Sequence, residues 1–200
     1  MDGDDCLVYT EEFLPGRELA SLINRTSLPS AIEIRHLLSC LVQAIRALWT
    51  AQNTVHRDIK PGNIFATGLA GRPYVLLDLG IAYNVKEPGL TARPDCIPAT
   101  PRYMAPEMLD PNFRENLSYR ADLYATGVTA FEFATGGTHP LARTADDLVR
   151  TITRILHQDV AGLPHVCALL ETSVGAPLVG MVAGIFIRQA QEQHFGHMPR

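Results

Sequence analysis

The 200-residue sequence predicts an α+β domain that is mainly helical and carries short β-hairpins. Long segments have the apolar spacing or the length of helices, whereas short runs rich in β-branched and aromatic residues are bounded by turn signals. No internal repeat, low-complexity tract or long linker divides the sequence, so one domain over residues 1–200 is the simplest interpretation. The longer helices are predicted at 31–53, 118–135, 145–157 and 174–188.

The first elements are a strand, a short helix and a long helix. A β-rich run predicts a strand at 6–13, Pro15 and Gly16 mark a turn, and 17–24 has the length of a short helix. Ser30 then opens the helix at 31–53. Its apolar residues recur at helical spacing, which predicts a helix in the centre of the core. They are Ile34, Leu37, Leu38, Leu41, Ile45 and Leu48.

Two polar side chains flank a predicted hairpin formed by the β-rich runs at 63–67 and 74–78. Asn63 stands before the first strand and Asp78 follows the second. Because an antiparallel hairpin brings the start of one strand beside the end of the other, we expect both residues to lie close together, near Asp58. Residues 80–104 lack periodicity and are rich in Gly and Pro, which predicts an ordered but mobile functional loop.

Composition excludes several classes of protein. A formal net charge of -4 without long blocks of like charge gives no reason to expect nucleic acid or anionic lipid as a partner. The longest apolar run, at 176–187, holds about 12 residues, whereas a membrane span needs about 20. The four cysteines are scattered, without a C-x-x-C pair, and no secretory signal precedes them, which predicts a reduced, cytoplasmic setting.

One group of side chains has the composition of a magnesium site. Asp58, Asn63 and Asp78 supply the oxygen ligands that Mg²⁺ prefers, and Lys60 adds a positive charge beside them. Such a cluster suits phosphoryl transfer, in which the protein positions substrates, holds the cation and offsets negative charge. The alternative is structural: Asp58 and Asn63 form hydrogen bonds within a loop, and Asp78 forms a turn.

Four segments resemble the motifs of eukaryotic-like Ser/Thr protein kinases of the bacterial type. "HRDIKPGN" at 56–63 is similar to the H-R-D-x-K-x-x-N catalytic loop, and "DLG" at 78–80 to the D-F-G metal-binding turn. "TPRYMAPE" at 100–107 resembles the end of the activation segment, and Asp122 in "RADLYATGV" the helix that supports the catalytic loop. The resemblance covers nearly the whole chain. It implies the hinge and the mainly helical C-terminal lobe of a kinase domain.

The resemblance also implies a role for each residue. Asp58 would accept or orient the proton of the attacking hydroxyl, and Lys60 would contact the transferred phosphate of ATP. Asn63 and Asp78 would hold Mg²⁺ on the ATP phosphates. Lys60 and Thr100, which in this family lies beside the catalytic Asp, indicate serine or threonine of a protein substrate as the phosphate acceptor.

Two further sites follow from the same resemblance. "YTEEFLPG" is similar to the kinase hinge, where the backbone from Glu12 to Leu14 would bind the edge of adenine. Arg57 precedes the catalytic Asp, so its guanidinium could pair with a phosphate on the activation loop. Thr91 is the candidate acceptor of that phosphate, the alternative being an ordinary loop threonine.

The parts of the kinase family that hold the ATP phosphates have no counterpart in the sequence. The N-terminal β lobe, its G-x-G-x-x-G loop and its V-A-I-K lysine are absent, and the two lysines, Lys60 and Lys86, fall elsewhere. We therefore expect an ATP-dependent protein kinase that is incomplete or inactive as these residues alone. Met1 is a doubtful natural start, and a small lobe could come from upstream residues or from a partner chain in trans. The alternative is a non-catalytic remnant or pseudokinase that acts as a protein-binding module.

Overall fold

The computed structural model describes residues 10–23, 27–79, 81–86, 100–109, 117–143 and 146–157. The helices are α1 (Ala20–Ile23), α2 (Ala31–Gln52), α3 (Tyr119–Ala134) and α4 (Leu148–His157). The strands are β1 (Arg17–Glu18), β2 (Thr54–Val55), β3 (Ile64–Leu69), β4 (Arg72–Leu76) and β5 (Tyr83–Asn84). Short 3-10 helices lie at Pro61–Asn63, Pro101–Tyr103 and Pro106–Leu109.

The long helix α2 begins and ends where the sequence predicts. The Ser30 hydroxyl accepts from the backbone N–H of Glu33, and the Glu33 carboxylate accepts from the backbone N–H of Ser30 at 2.8 Å. These reciprocal bonds form a capping box, which satisfies donors that a helix start leaves open. At the other end Asn53 takes a left-handed conformation with φ of 50°, and its N–H donates to the carbonyls of Leu48 and Trp49.

The helices α2 and α3 form the centre of the core. α2 buries one face, as its apolar spacing predicts, and leaves Arg35 and His36 of the opposite face exposed. α3 is buried on nearly all sides, and every residue from 124 to 134 is buried. A helix that is apolar on all sides belongs inside a protein. α3 is therefore the more deeply buried of the two, and α2 packs against it.

The predicted hairpin is confirmed. β3 and β4 are antiparallel, with Ile64 opposite Leu76 and Phe65 opposite Val75. β1 pairs with the other edge of β3, which gives a three-stranded sheet in the order β1-β3-β4. A second antiparallel pair joins β2 to β5 and brings residues 83–84 of the predicted loop beside the end of α2.

The prediction of a helix over 17–24 was wrong at its start, because residues 17–18 form β1 and the helix covers Ala20–Ile23 only. The strand forms because Gly16 has a φ of 121° and no Cβ, which allows its backbone to lie in close contact with β3. A Cβ at Gly16 would lie 2.0 Å from the carbonyl oxygen of Ala66. This close approach makes Arg17 and Glu18 an edge strand. Of the strand predicted at 6–13, residues 10–13 are not a strand, and the rest lies outside the described residues.

The remaining predicted helices have different outcomes. Those at 118–135 and 145–157 are confirmed as α3 and α4, the latter beginning at Leu148. The helix predicted at 174–188 lies outside the described residues. Among the helices that the structure describes, none is both long and apolar enough to cross a membrane.

Substitution of Gly16 tests the contact that creates β1. We expect Gly16→Ala to lower the free energy of unfolding by roughly 2 kcal/mol or more, because the new Cβ meets β3 and the backbone φ is unfavourable. Gly71→Ala is the matched control, since a Cβ at Gly71 has nothing within 4 Å; its effect should stay below about 1 kcal/mol. Urea unfolding of the purified variants gives both values. Equal effects at the two positions would contradict the assignment.

Candidate active site

The loop that follows β2 is fixed by a buried carboxylate from α3. The backbone N–H groups of His56 and Arg57 donate to the two oxygens of Asp122, at 2.8 and 2.9 Å. Asp122 is 1% exposed. Burial raises the pKa of Asp122 to about 6, while the two N–H donors and the charge of Arg57 act in the opposite direction. Both oxygens accept a backbone N–H group, which is the hydrogen-bonding pattern of the ionised carboxylate.

His56 lies inside the protein and joins the loop to the end of β4. Its Nδ1 accepts from the backbone N–H of Asp58 at 3.3 Å, so Nε2 carries the hydrogen and donates to the Leu77 carbonyl at 3.0 Å. Burial is the largest influence on His56 and lowers its pKa, against the opposing effects of the Leu77 carbonyl and the nearby carboxylates. The neutral ring therefore acts as a structural link between the two segments.

Asp58 is the centre of a cluster of polar side chains. Its Oδ2 accepts from the Lys60 ammonium at 2.7 Å and from the Asn63 amide at 2.9 Å. Its Oδ1 accepts from the hydroxyl of Thr100 at 3.1 Å. Only 13% of the Asp58 side chain is exposed. The backbone N–H of Thr100 also donates to Oδ1, at 3.4 Å, so each carboxylate oxygen accepts from two donors.

Lys60 bridges two segments that are 40 residues apart in the sequence. Besides Asp58, its ammonium donates to the hydroxyl of Thr100 at 2.9 Å. Thr100 thus receives a hydrogen bond from Lys60 and gives one to Asp58. The structure brings these three predicted site residues together, and Asn63 joins them through Asp58.

The two predicted cation ligands flank the same loop. Asn63 uses its amide nitrogen toward Asp58, so its Oδ1 is the atom suited to coordinate a cation. The backbone N–H of Leu77 donates to the carbonyl of Asn63 at 2.8 Å, which places Asp78 one residue from this contact. Asp78 is exposed and has a positive φ of 63°. One carboxylate and one amide oxygen fit Mg²⁺, which keeps several water or phosphate ligands.

A metal ion could also be bound by protein side chains alone. Within the described residues, no group of three or more His, Cys, Asp and Glu side chains could hold a metal ion by itself.

Arg57 packs on the segment that follows Asp78. Its Nε donates to the carbonyl of Ile81 at 2.6 Å, and its guanidinium lies 5.1 Å from the ring centre of Tyr83. The aromatic contact with Tyr83 was not predicted. Gly80 of the D-L-G turn and Thr91, the predicted phosphate acceptor, lie outside the described residues.

The predicted hinge residues Glu12 and Leu14 differ in their exposure and contacts. The Glu12 carboxylate accepts from Arg72 at the start of β4, with both oxygens 3.0 Å from Nη1. Both side chains are exposed, so this ion pair contributes little stability. Leu14 is half-buried. Adenine binding by the backbone of Glu12 and Leu14 stays a prediction.

The sequence analysis missed a buried polar contact beneath the 3-10 helix at Pro101–Tyr103. The Tyr103 hydroxyl donates to the Glu132 carboxylate of α3 at 2.5 Å, and the ring of His139 lies 5.8 Å from that of Tyr103. Burial raises the pKa of both Tyr103 and Glu132. A lone Glu in the apolar run of α3 was a usable signal, since such a carboxylate requires a partner. His139 gave no comparable signal.

Comparison with known proteins shows the family of this chain. The family model described as "Protein kinase domain" matches residues 2–167. Serine/threonine-protein kinase Pkn1 of Myxococcus xanthus is 37% identical over 127 residues, which is 62% of this chain and 18% of that protein. Serine/threonine-protein kinase PknA of Mycobacterium tuberculosis is 34% identical over 145 residues, which is 71% of this chain and 31% of that protein.

A third relative extends the match. The probable serine/threonine-protein kinase pknA2 of Bifidobacterium longum is 29% identical over 185 residues, which is 91% of this chain and 22% of that protein. The chain thus spans less than a third of the length of each of these three relatives. The matched region includes Asp58, its hydrogen-bonded neighbours and the helix that supports them. The chain therefore belongs to the protein kinase domain family, and its relatives include Ser/Thr protein kinases of bacteria.

Proposed function

We propose that this chain contributes the catalytic loop and the metal-binding turn of an ATP-dependent protein Ser/Thr kinase. The observation that carries the proposal is the cluster in which Asp58 accepts hydrogen bonds from Lys60, Asn63 and Thr100. Structural hydrogen bonding alone does not require a lysine, an amide and a hydroxyl to meet on one carboxylate. A site that transfers a phosphoryl group to a hydroxyl does use these chemical groups together.

In the proposed reaction, Asp58 orients the substrate hydroxyl and receives its proton. The substrate oxygen forms a bond to the γ-phosphorus while the bond from that phosphorus to the bridging oxygen breaks, and ADP leaves with the electron pair. Lys60 offsets the negative charge of the transferred group. Because Thr100 and Asn63 hold the carboxylate on two sides, Asp58 needs little reorganisation during the reaction.

Asn63 and Asp78 are the residues that would hold Mg²⁺. When bound, the cation would neutralise charge on the ATP phosphates. Asn63 contributes an amide oxygen, whose orientation is set by the two hydrogen bonds that its nitrogen gives to Asp58. Asp78 contributes a carboxylate at the exposed end of the hairpin. In this proposal Glu12 and Leu14 bind adenine through their backbone.

The acceptor would be a serine or threonine of a protein substrate. Support comes from Lys60 and Thr100, which lie on either side of Asp58, and from the printed names of the bacterial relatives. We also propose that Arg57 binds a phosphate on Thr91 in a regulated form of the protein. Its position next to Asp58 and its contact with Ile81 would couple that phosphate to the metal-binding turn.

We further propose that the 1–200 unit is a hinge and C-terminal lobe that works with a separate small lobe. The groups that clamp ATP phosphates in this family would come from other residues of the polypeptide or from a partner chain. Two apolar side chains near the proposed ATP site support a covering element: Phe13 is 90% exposed and Leu79 is 57% exposed.

A second candidate function is a non-catalytic protein-binding module. It is favoured by the exposed apolar side chains of Phe13 and Leu79, which could contact another protein. Binding of ATP with Mg²⁺ separates the two proposals, because a binding module does not require the nucleotide.

The direct test of the proposal is Asp58→Asn. We expect phosphorylation of a protein substrate by the active full-length protein or complex to fall by about 10²–10⁴-fold, because the amide cannot take the proton. The fold should persist: the amide oxygen can accept from Lys60 and Asn63, and the amide nitrogen can donate to the Thr100 hydroxyl.

The control is Glu18→Gln, which removes an exposed carboxylate on β1. It should leave turnover and the free energy of unfolding unchanged. If Asp58→Asn keeps wild-type turnover, the assignment of phosphoryl transfer to this cluster is wrong.

The proposed cation ligand gives an independent prediction. In Asp78→Asn the Mg²⁺ concentration that gives half-maximal turnover should rise by about tenfold or more, because one anionic oxygen is lost. Turnover is measured against Mg²⁺ at saturating ATP. Unchanged Mg²⁺ dependence would remove Asp78 from the site.

A further inference from the structure

His139 lies in the loop after α3 and forms three hydrogen bonds inside the protein. Its Nδ1 accepts from the backbone N–H groups of Leu141 and Ala142, at 3.1 and 2.8 Å. Nε2 therefore carries the hydrogen and donates to the carbonyl of Arg102 at 2.8 Å. The side chain is 7% exposed, and burial lowers the pKa of His139 to about 4. The ring is neutral at pH 7 and keeps this tautomer.

The carbonyl that His139 holds belongs to a compact turn. The N–H of Tyr103 donates to the Thr100 carbonyl at 3.0 Å, and the N–H of Met104 donates to the Pro101 carbonyl at 3.2 Å. These bonds close the 3-10 helix at Pro101–Tyr103. A shift of the Arg102 backbone therefore also moves the residue that precedes the 3-10 helix.

That residue is Thr100, whose hydroxyl lies between Lys60 and Asp58 at 2.9 and 3.1 Å. The same short turn thus has one end in the proposed active site and the other on His139. The ring contact between His139 and Tyr103 supports the same attachment.

We propose that His139 is a positioning residue for the phosphoryl-transfer site. Its Nε2–H holds the turn so that the Thr100 hydroxyl stays between Lys60 and Asp58. The kinetic consequence rests on the proposed function, whereas the attachment of the turn does not. The competing interpretation is local: His139 serves only to cap its own loop through Nδ1.

Two substitutions separate these roles. In His139→Asn the amide oxygen takes the place of Nδ1 and can accept from Leu141 and Ala142, but no atom reaches Arg102. In His139→Gln the amide nitrogen takes the place of Nε2 and can donate to the Arg102 carbonyl, while the acceptor of the loop N–H groups is lost.

Kinetics of the active full-length protein or complex provide the first readout. We expect His139→Asn to lower kcat by roughly tenfold or more with the KM for ATP unchanged, because the turn shifts beside the reacting atoms. His139→Gln should keep kcat within about threefold of the wild type, because the bond to Arg102 remains. The reverse order, with Gln the more damaging, would show that His139 is a loop cap and would overturn the proposal.

Amide hydrogen exchange provides the second readout and does not depend on activity. Exchange at Tyr103 and Met104, measured on peptides by mass spectrometry, should be faster in His139→Asn than in His139→Gln, by about tenfold. If the wild type has no kinase activity but this difference is seen, the proposed function fails and the attachment stands. If exchange at both amides is unchanged in His139→Asn, the proposal is wrong whatever the activity.

Discussion

The carboxylate of Asp122 is the contact on which the geometry of the site depends. It is supplied by α3, the most deeply buried helix described, and it accepts the backbone N–H groups of His56 and Arg57. Leaving one buried donor without an acceptor costs about 1–3 kcal/mol, so these two bonds strongly restrict the backbone just before Asp58. Arg57 has a positive φ of 69°, a conformation that needs such support. Asp58 can therefore point into the cluster from a backbone that is already fixed.

The hairpin brings Asp78, the second proposed cation ligand, toward Asn63. β3 begins directly after Asn63, and β4 ends two residues before Asp78. Because Ile64 pairs with Leu76, the antiparallel strands bring the backbone at Asn63 near the backbone at Asp78. The bonds from His56 to the Leu77 carbonyl and from Leu77 to the Asn63 carbonyl fix the end of β4 against the loop. Strand pairing and two long-range hydrogen bonds together hold the end of β4, and with it the backbone before Asp78, against the loop that carries Asn63.

The sequence predicts those features that depend on neighbouring residues. α2 was predicted from local signals, namely Ser30 at its start and apolar residues at helical spacing. The structure adds a capping box between Ser30 and Glu33 and a left-handed Asn53, which are also local. The hairpin is likewise predicted, since its strands are close in sequence. The grouping of Asp58, Lys60, Asn63 and Thr100 was predicted by resemblance to a family.

Features that depend on distant contacts were not predicted. β1 is a strand because Gly16 can press against Ala66, about 50 residues away, and local propensity favoured a helix there. The bond from Tyr103 to Glu132 and the bond from His139 to Arg102 join segments 29 and 37 residues apart. Neither pairing produces a periodic pattern in the sequence. Both contacts depend on the packing of α3 and the loop after it against the 3-10 helix at Pro101–Tyr103.

The role of Asp122 is tested most directly by amide hydrogen exchange at His56 and Arg57, measured by NMR in the wild type and in Asp122→Asn. In the wild type each carboxylate oxygen accepts one of the two N–H groups. The amide has nearly the shape of the carboxylate but replaces one of these oxygens by an NH2 group, which donates and cannot accept, so one backbone N–H loses its acceptor. The account predicts slow exchange at both amides in the wild type and exchange faster by about tenfold or more at one of them or both in the variant. Equal rates in the two proteins would show that the loop is held by other contacts and would contradict the account.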